Sequence, residues 1–440
     1  MEPDTRANTS FEKDVSKTKE TTPKSKNRSS SLLMISSGFT FLAALPQRST
    51  TSSSFRSSSR LALDFSLVGQ DLPDEFYESH FNTLLKNVYS LVQRVFCPRD
   101  NAQAPKVSPW LREYSNEFLQ YVKLVAHPDV RAGKWGRLLS DKAERTCLLT
   151  AIIFKVLETK VLSCLLFGAD SEHEKLLDSF DTALRDAEGF KRTKLRAHMN
   201  RMYLIGQIPP CFWNRVDELC AQTLALLLPA YAYAAEFQGH QPTPVRKLHQ
   251  ALHDVIAYAG WINVHISMVP AIFSFNWVQP GEPFGLSQIN LCQEAYISSK
   301  AAAQRYQERL RKRRPGAPVL NSRARVKISV TPEITRDKDV SKSIGTPGTT
   351  SCKILQAHVV YYEGLQLDSD EKRVFVSLPE YIRRLREQVC MPRGAAIVIM
   401  LLVLLCLWVF LTPSGHRAWE GTRSWVYPRP SIVEPDPTKT

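Results

Sequence analysis

Residues 141–167 read DKAERTCLLTAIIFKVLETKVLSCLLF, and this stretch decides the fold that we expect. It opens with Asp141 three residues before Glu144, the spacing of a capping box at a helix N-terminus. Apolar residues then cover most of the circumference of a helix. Lys155 and Glu158 interrupt the apolar surface, and charges in mid-span disfavour a membrane helix. We therefore predict the central helix of a bundle, with Lys155 and Glu158 on its narrow solvent edge.

Amphipathic segments flank this helix on both sides, with apolar residues every three or four positions. In chain order they cover residues 77–95, 108–125, 171–188, 191–201, 212–237, 243–266 and 287–314. The acidic segment 171–188 precedes the basic segment 191–201, which favours a hairpin whose faces attract each other. The sequence therefore predicts an all-α, multi-helix bundle over residues 64–314. Its predicted core contains Phe81, Leu84, Val88, Phe118, Ile152, Val156, Leu162 and Leu252.

Positive charge is distributed unevenly along the chain. Residues 1–63 and 296–350 hold the whole excess that makes the net charge +14, whereas residues 64–295 are close to neutral. A folded nucleic-acid-binding domain carries its excess on its own face. We therefore assign the basic character to flexible segments, and the distribution argues against nucleic acid as a partner.

The N-terminal residues 1–63 are rich in Ser, Thr, Lys and Arg and show no persistent apolar period, which predicts a disordered tail. Residues 24–45 leave alternatives open, because a weak apolar run there follows basic residues and no acidic residue interrupts it. A mitochondrial presequence, a signal sequence or a second anchor would each have this character.

The residues after the bundle are predicted to form a basic linker, 315–376, with short β-type segments. Ile354–Tyr362 and Val374–Val376 are expected to pair across a turn at Asp368–Lys372. Residues 377–393 then form an amphipathic juxtamembrane helix, with apolar residues on one side and arginines on the other.

An uncharged run of 17 residues, Ala395–Leu411, follows this helix. As a helix it would advance about 25 Å, close to the hydrocarbon thickness of a thin bilayer. Arginines precede the run and aromatic residues follow it, as at membrane interfaces. The sequence therefore predicts one transmembrane helix over residues 394–412 and a short tail, 413–440. The predicted anchor residues are Ala395, Ile397, Leu401, Leu404, Trp408 and Leu411.

This layout is that of a tail-anchored protein, with the lipid bilayer as a partner and the N-terminal part in the cytosol. The endoplasmic reticulum, the nuclear envelope and the mitochondrial outer membrane all remain open as its location.

The nine cysteines are scattered without a C-x-x-C pair, so neither a zinc site nor a disulfide framework is indicated. Cys390 lies beside the span, where an S-palmitoylated thiol and an unmodified thiol are the alternatives.

The search for chemistry yields one pair of side chains. His249 and His253 share a helix face at the spacing of a zinc-binding pair, but Gln250 stands where a metalloprotease has its glutamate. Two ordinary surface or capping histidines are the alternative to a metal site. The sequence has no phosphate-binding loop, dinucleotide-binding motif or nucleophile elbow. We predict no cofactor and assign no catalytic residue.

A short basic cluster ends the last predicted helix of the bundle. It could act as a nuclear signal, contact an anionic lipid, or be a solvated helix end favoured by the helix dipole. Its residues are Arg311, Lys312, Arg313 and Arg314.

Three hypotheses about function follow. The first is a membrane protein without catalytic activity, whose helical domain binds or scaffolds an unknown protein partner. The second is a membrane-tethered enzyme with an unrecognised helical active site. The third is an inner-nuclear-membrane protein whose basic linker touches nucleic acid.

Overall fold

The computed structural model of the chain describes residues 59–97, 107–129, 135–186, 188–237, 243–313, 321–340, 348–390, 393–415, 417 and 419. The predicted tail 1–63 is therefore described only from residue 59, the segment 24–45 lies outside the described residues, and so does most of 413–440. The helices are α1 (Asp74–Phe96), α2 (Asn116–Val125), α3 (Arg137–Ser140), α4 (Lys142–Leu157), α5 (Ser171–Ala183), α6 (Gly189–Leu204), α7 (Phe212–Phe237), α8 (Val245–Ser267), α9 (Gln293–Arg313), α10 (Asp368–Val374), α11 (Leu378–Cys390) and α12 (Arg393–Leu411). The strands are β1 (Ala271–Asn276), β2 (Gln288–Asn290), β3 (Ser322–Thr331), β4 (Glu333–Val340), β5 (Gly348–Leu355) and β6 (Ala357–Leu365).

Helix α4 lies at the centre of the core, and almost every residue on it is buried. The Asp141 side chain accepts the amide of Glu144 at 3.0 Å, which caps the helix as its sequence predicts. Lys155 pairs with Glu158 at 2.8 Å on the partly exposed edge. The α-helix ends at Leu157 and continues as a short π-helical turn. All eight predicted core residues are buried, because the apolar period of each helix faces α4 or its neighbours.

The acidic helix α5 and the basic helix α6 are joined by ion pairs. Asp181 on α5 lies 3.5 Å from Arg192 and 3.9 Å from Arg196 on α6. The attraction between neighbouring segments of opposite charge, expected from the sequence, is therefore present in these contacts.

The all-α prediction is wrong. Helices account for about 62% of the described residues, and the six strands form two three-stranded sheets with the orders β1-β4-β5 and β2-β6-β3. The strands from β3 to β6 make one long antiparallel hairpin that bends between the two sheets. Pro332 separates β3 from β4, and Gln356 separates β5 from β6. Proline cannot donate to a ladder, and register shifts on both sides of the bend increase its curvature.

Part of the predicted basic linker is consequently buried sheet. Val326, Ile328 and Val330 on β3 are fully buried. The expected pairing of Ile354–Tyr362 with Val374–Val376 does not form, because the first segment spans β5 and β6 and pairs with β4 and β3. The expected turn at Asp368–Lys372 lies within α10, an ordered helix.

Three basic residues of this region are buried and paired. Lys327 on β3 binds Glu144 on α4, and Arg336 on β4 binds Asp71, just before α1, and Asp74, its first residue. Arg325 donates to the carbonyls of Gly281, Leu365 and Gln366 and pairs with Asp368. A buried charge persists only when it is paired or hydrogen-bonded. These side chains therefore bind the sheets to the helices, and the basic character of 296–350 belongs in part to the folded core.

The transmembrane prediction is also contradicted. Helix α12 forms over 19 residues, and the predicted anchor residues Ala395, Ile397, Leu401, Leu404, Trp408 and Leu411 lie on it. Within the described residues, however, no helix combines the length and the apolar character needed to cross a membrane.

Helix α11 packs on the folded unit. Its apolar side, on which Leu378 and Ile382 are buried, contacts the core, and Tyr381 and Leu385 are partly buried beside them. The indole nitrogen of Trp135 donates to the carbonyl of Val376 at 2.8 Å, which holds the segment before the helix. The apolar face expected to lie in a lipid headgroup layer is therefore covered by protein.

Candidate binding groove

A groove of about 470 Å³ separates helix α11 from the segment that leads into α2. One wall carries residues at helical spacing along α11, and the other carries the start of α2 and the residues just before it. We call this the α2–α11 groove, and its lining residues are Arg112, Tyr114, Asn116, Leu119, Pro379, Ile382, Arg383, Arg386 and Glu387.

The α2 wall is positioned by a cap and by aromatic stacking. The Ser115 hydroxyl accepts the amide of Phe118, which starts helix α2 immediately after Tyr114. The Tyr114 ring stacks on Phe118 with centroids 4.7 Å apart and lies 5.7 Å from Trp110. Because Phe118 and Trp110 are fully buried, they hold the Tyr114 ring in place at the groove.

The hydroxyl of Tyr114 has an unusual environment. Its oxygen is buried, yet it has no hydrogen-bond partner among the described residues. Burial raises the pKa of this hydroxyl above its ordinary value of 10, although Arg112 partly offsets the effect. The hydroxyl therefore stays protonated and keeps a proton to donate. Buried polar groups in native proteins are nearly always satisfied, so an unsatisfied one at a groove wall needs an explanation.

The charges around the groove are mainly positive. Arg112 pairs with Glu236 and its guanidinium lies 5.8 Å from the centroid of the Tyr233 ring. Arg383 pairs with Glu380 at 2.7 Å and lies 4.0 Å from Glu387.

Arg386 differs from these two arginines, because it makes no ion pair within the described part of the chain. It lies one helical turn from Ile382, so its charge stands beside the apolar floor formed with Leu119 and Pro379. An apolar floor with an uncompensated cation at its edge suits a ligand that is partly apolar and partly anionic.

A second, larger cavity near α4 is polar and does not combine an apolar floor with an unpaired arginine. It has a volume of about 520 Å³ and is lined by Arg137 and Ser298, among other polar residues. Arg137 donates to Ser298 at 2.9 Å and lies 3.7 Å from both Asp141 and Glu144. Its charge is thus compensated by the protein itself. The hypothesis of a membrane-tethered enzyme remains untested, and this cavity offers no side chain to which we assign a catalytic role.

His249 and His253 are buried, so they are not the surface histidines that the sequence offered as one alternative, and the metal-pair hypothesis stays a prediction. Their ring centroids lie 6.5 Å apart, and His253 stacks on Trp213 and lies 3.3 Å from Asp217. Among the described residues, no group of three His, Cys, Asp or Glu side chains is placed to hold a metal ion. Burial, followed by the charge of His253, lowers the pKa of His249, which keeps its ring neutral in the core.

The remaining predicted site residues lie at two helix ends. Arg311, Lys312 and Arg313 are exposed at the end of α9, where cations are favoured by the helix dipole. Arg314 lies outside the described residues. Cys390 is the last residue of α11, and its side chain is likewise outside the described part. The nuclear, lipid and palmitoylation hypotheses for these residues stay predictions.

The groove residues were assigned other roles by sequence reasoning. The sequence placed Tyr114 within the amphipathic segment 108–125 and the arginines of α11 beside a membrane. No local pattern could reveal the groove, because its two walls are more than 250 residues apart in the chain. Comparisons with protein-family models, with curated proteins and with solved structures found no match to this chain. Function is therefore inferred from the geometry of the groove.

Proposed function

We propose that this chain is a binding protein without catalytic activity, and that its α2–α11 groove holds a segment of a partner protein. The segment would insert an apolar side chain between Leu119 and Ile382 and present a carboxylate to Arg386. The observation that carries the proposal is the buried hydroxyl of Tyr114, which lacks a partner among the described residues at the wall of this groove.

The hydroxyl supports binding for an energetic reason. A buried hydroxyl left without a hydrogen bond costs about 1 to 3 kcal/mol relative to a satisfied one. The oxygen is covered in the unbound chain, so a partner recovers this free energy only if binding turns the Tyr114 ring or parts the groove walls and brings a carbonyl or carboxylate oxygen to the hydroxyl. Tyrosine also offers a large rigid surface at low entropic cost, which is why it is enriched at the centres of protein interfaces.

The charges favour an acidic segment. Within the described residues Arg386 makes no ion pair that must break before it binds a carboxylate, whereas Arg112 and Arg383 already contact glutamates. Arginine binds a carboxylate through two parallel hydrogen bonds, which gives direction as well as attraction. An apolar residue flanked by Asp or Glu is therefore the expected core of the recognised segment.

Photo-crosslinking in cells tests the proposal. A photoreactive amino acid at Leu119 of the full chain should give discrete crosslinked protein products, and Arg386→Glu should remove them. Leu124 is the control position, because it is on the same helix and 55% exposed but does not line the groove. Arg384→Glu is the control for charge, because Arg384 is on the same helix and outside the groove, and since it also breaks the 2.7 Å pair with Glu380 it perturbs the helix at least as much as Arg386→Glu does. Equal products from both positions, or products that survive Arg386→Glu, would refute the proposal.

A stability measurement tests the role of the hydroxyl separately. Tyr114→Phe removes an unsatisfied polar group, so we expect it to raise the free energy of unfolding by about 1 kcal/mol while it lowers the crosslinking yield at Leu119. Tyr203→Phe is the matched control, because the Tyr203 hydroxyl donates to Asp170 at 2.6 Å and its loss should destabilise the chain. If Tyr114→Phe destabilises the chain as much as the control does, the hydroxyl has a partner inside the protein and does not await one from a bound segment.

A further inference from the structure

Strand β5 lies at the open edge of its sheet. It pairs with β4 on one side and, among the described strands, with none on the other. Its continuation, β6, is covered along the same edge by β2, which pairs with Ala357–Val359. The ribbon formed by β5 and β6 is thus closed where β2 lies and open over the eight residues of β5. Alternate backbone amides and carbonyls of an edge strand point away from the sheet and can receive another strand.

The exposed part of β5 lacks the features that protect natural sheet edges. Gly348–Ser351 are exposed, and Gly348–Cys352 contain neither proline nor a charged residue. Charged side chains, proline or a covering segment normally prevent such an edge from pairing with another chain. The first charge, Lys353, is held by Glu333 on the neighbouring strand at 2.7 Å. It is therefore drawn toward β4 and does not shield the open edge.

The sequence of β5 also allows it to pair with the β5 of a second copy of the chain. In an antiparallel pair related by a two-fold axis, one residue lies opposite its own copy, and near the middle of β5 this residue is Ser351 or Cys352. Lys353 then lies opposite Thr349 in the first register and opposite Ser351 in the second, so like charges do not meet. In the first register Ser351 also lies opposite its own copy, where the two hydroxyls can hydrogen-bond to each other.

We propose that β5 pairs antiparallel with the β5 of a second copy of this chain, which joins the two β1-β4-β5 sheets into one six-stranded sheet. Seven residues of each β5 pair in either register, so the pair extends about 23 Å along the strand. A single strand pair buries less surface than a typical stable interface, so the dimer is weak and depends on concentration. The dimer does not use the α2–α11 groove.

Sedimentation velocity of the full chain, from about 1 µM to about 1 mM, tests the proposal. The wild-type chain should shift from monomer to dimer within this range. Ser351→Lys puts a cation opposite its own copy in one register and opposite Lys353 in the other, and should weaken the dimer at least about tenfold. In the monomer, residue 351 is exposed and faces Asp337 across β4, so the variant keeps its fold. Ser179→Lys, at an exposed site on α5, is the matched control and should dimerise like the wild type.

Hydrogen exchange identifies the surface used. Amides of residues 349–352 should exchange more slowly as the protein concentration rises, and this protection should be absent in Ser351→Lys. A wild-type chain that stays monomeric over the whole range overturns the proposal. So does association that Ser351→Lys leaves unchanged, because another surface would then be responsible. Protection of β5 that appears only when an extended peptide is added to a monomeric chain would assign the edge to a different partner.

Discussion

The ion pair between Lys327 and Glu144 should be the most sensitive polar contact in the fold. The two charged groups lie 2.7 Å apart, and both side chains are 1% exposed. Removing one member of a buried pair leaves an uncompensated charge and typically costs 3 to 5 kcal/mol. The structure also predicts which of the two single substitutions lowers the free energy of unfolding more. After Lys327→Met, Glu144 still has Arg137 at 3.7 Å, so the cost should be about 3 kcal/mol.

The other single variant should be less stable. After Glu144→Gln, Lys327 has no other carboxylate within ion-pair distance in the described part of the chain, so the cost should approach about 5 kcal/mol. The double variant Glu144→Gln with Lys327→Met removes both charges and keeps similar volumes. It should therefore be more stable than either single variant, with a coupling energy of about 2 to 3 kcal/mol or more.

Chemical denaturation, followed by circular dichroism and tryptophan fluorescence, measures all four free energies of unfolding. If the free energy of unfolding falls with denaturant concentration at the same slope in all four chains, the same unfolding transition is being compared. Single variants that each cost less than about 1 kcal/mol, or costs that simply add in the double variant, would refute the reasoning. Either result would mean that water reaches the pair or that other groups compensate it.

Two further predictions concern the core. Ile152→Ala on α4 should cost about 2 to 5 kcal/mol in the same assay, because Ile152 is fully buried, whereas Leu124→Ala at an exposed site should cost less than about 1 kcal/mol. Burial, together with the nearby charge of His80, lowers the pKa of His265 from 6.5 to about 4, so the unfolded chain binds more protons than the folded one between these values. The stability contributed by the neutral His265 ring is therefore complete above about pH 6.5 and is lost as the pH falls toward 4. The loss in the free energy of unfolding should be on the order of 3 kcal/mol. When unfolding is measured against pH, His265→Gln should show a smaller loss than the wild type. An unchanged acid profile in His265→Gln would show that other groups control the loss.

The helical part of the fold could be predicted from sequence because its signals are local. The period of apolar residues locates α1, α4, α7 and α8, and the Asp141 cap marks the start of α4. These signals depend on residues within a few turns of each other, and the tertiary structure did not override them. The predicted core followed for the same reason.

The sheets were missed although a signal for β3 was present. Val326, Ile328 and Val330 alternate with polar residues, which is the pattern of a strand. Lys327 between them, and Arg323 and Arg325 just before them, suggested an exposed linker, since isolated charges are rarely buried. Only the folded structure brings Glu144 to Lys327 and Asp71 to Arg336. These partners, distant in sequence, offset the free-energy cost of burying the charges.

What the sequence determined by itself was thus the set of amphipathic helices, the residues of their shared core and the absence of recognisable catalytic motifs. The tertiary structure alone decided the rest, namely the bent hairpin, the open edge of β5 and the α2–α11 groove. The physical reason is separation along the chain. A helix is specified by contacts within about four residues, whereas a sheet partner, a buried ion pair or a groove wall is chosen among residues that only the completed fold brings together.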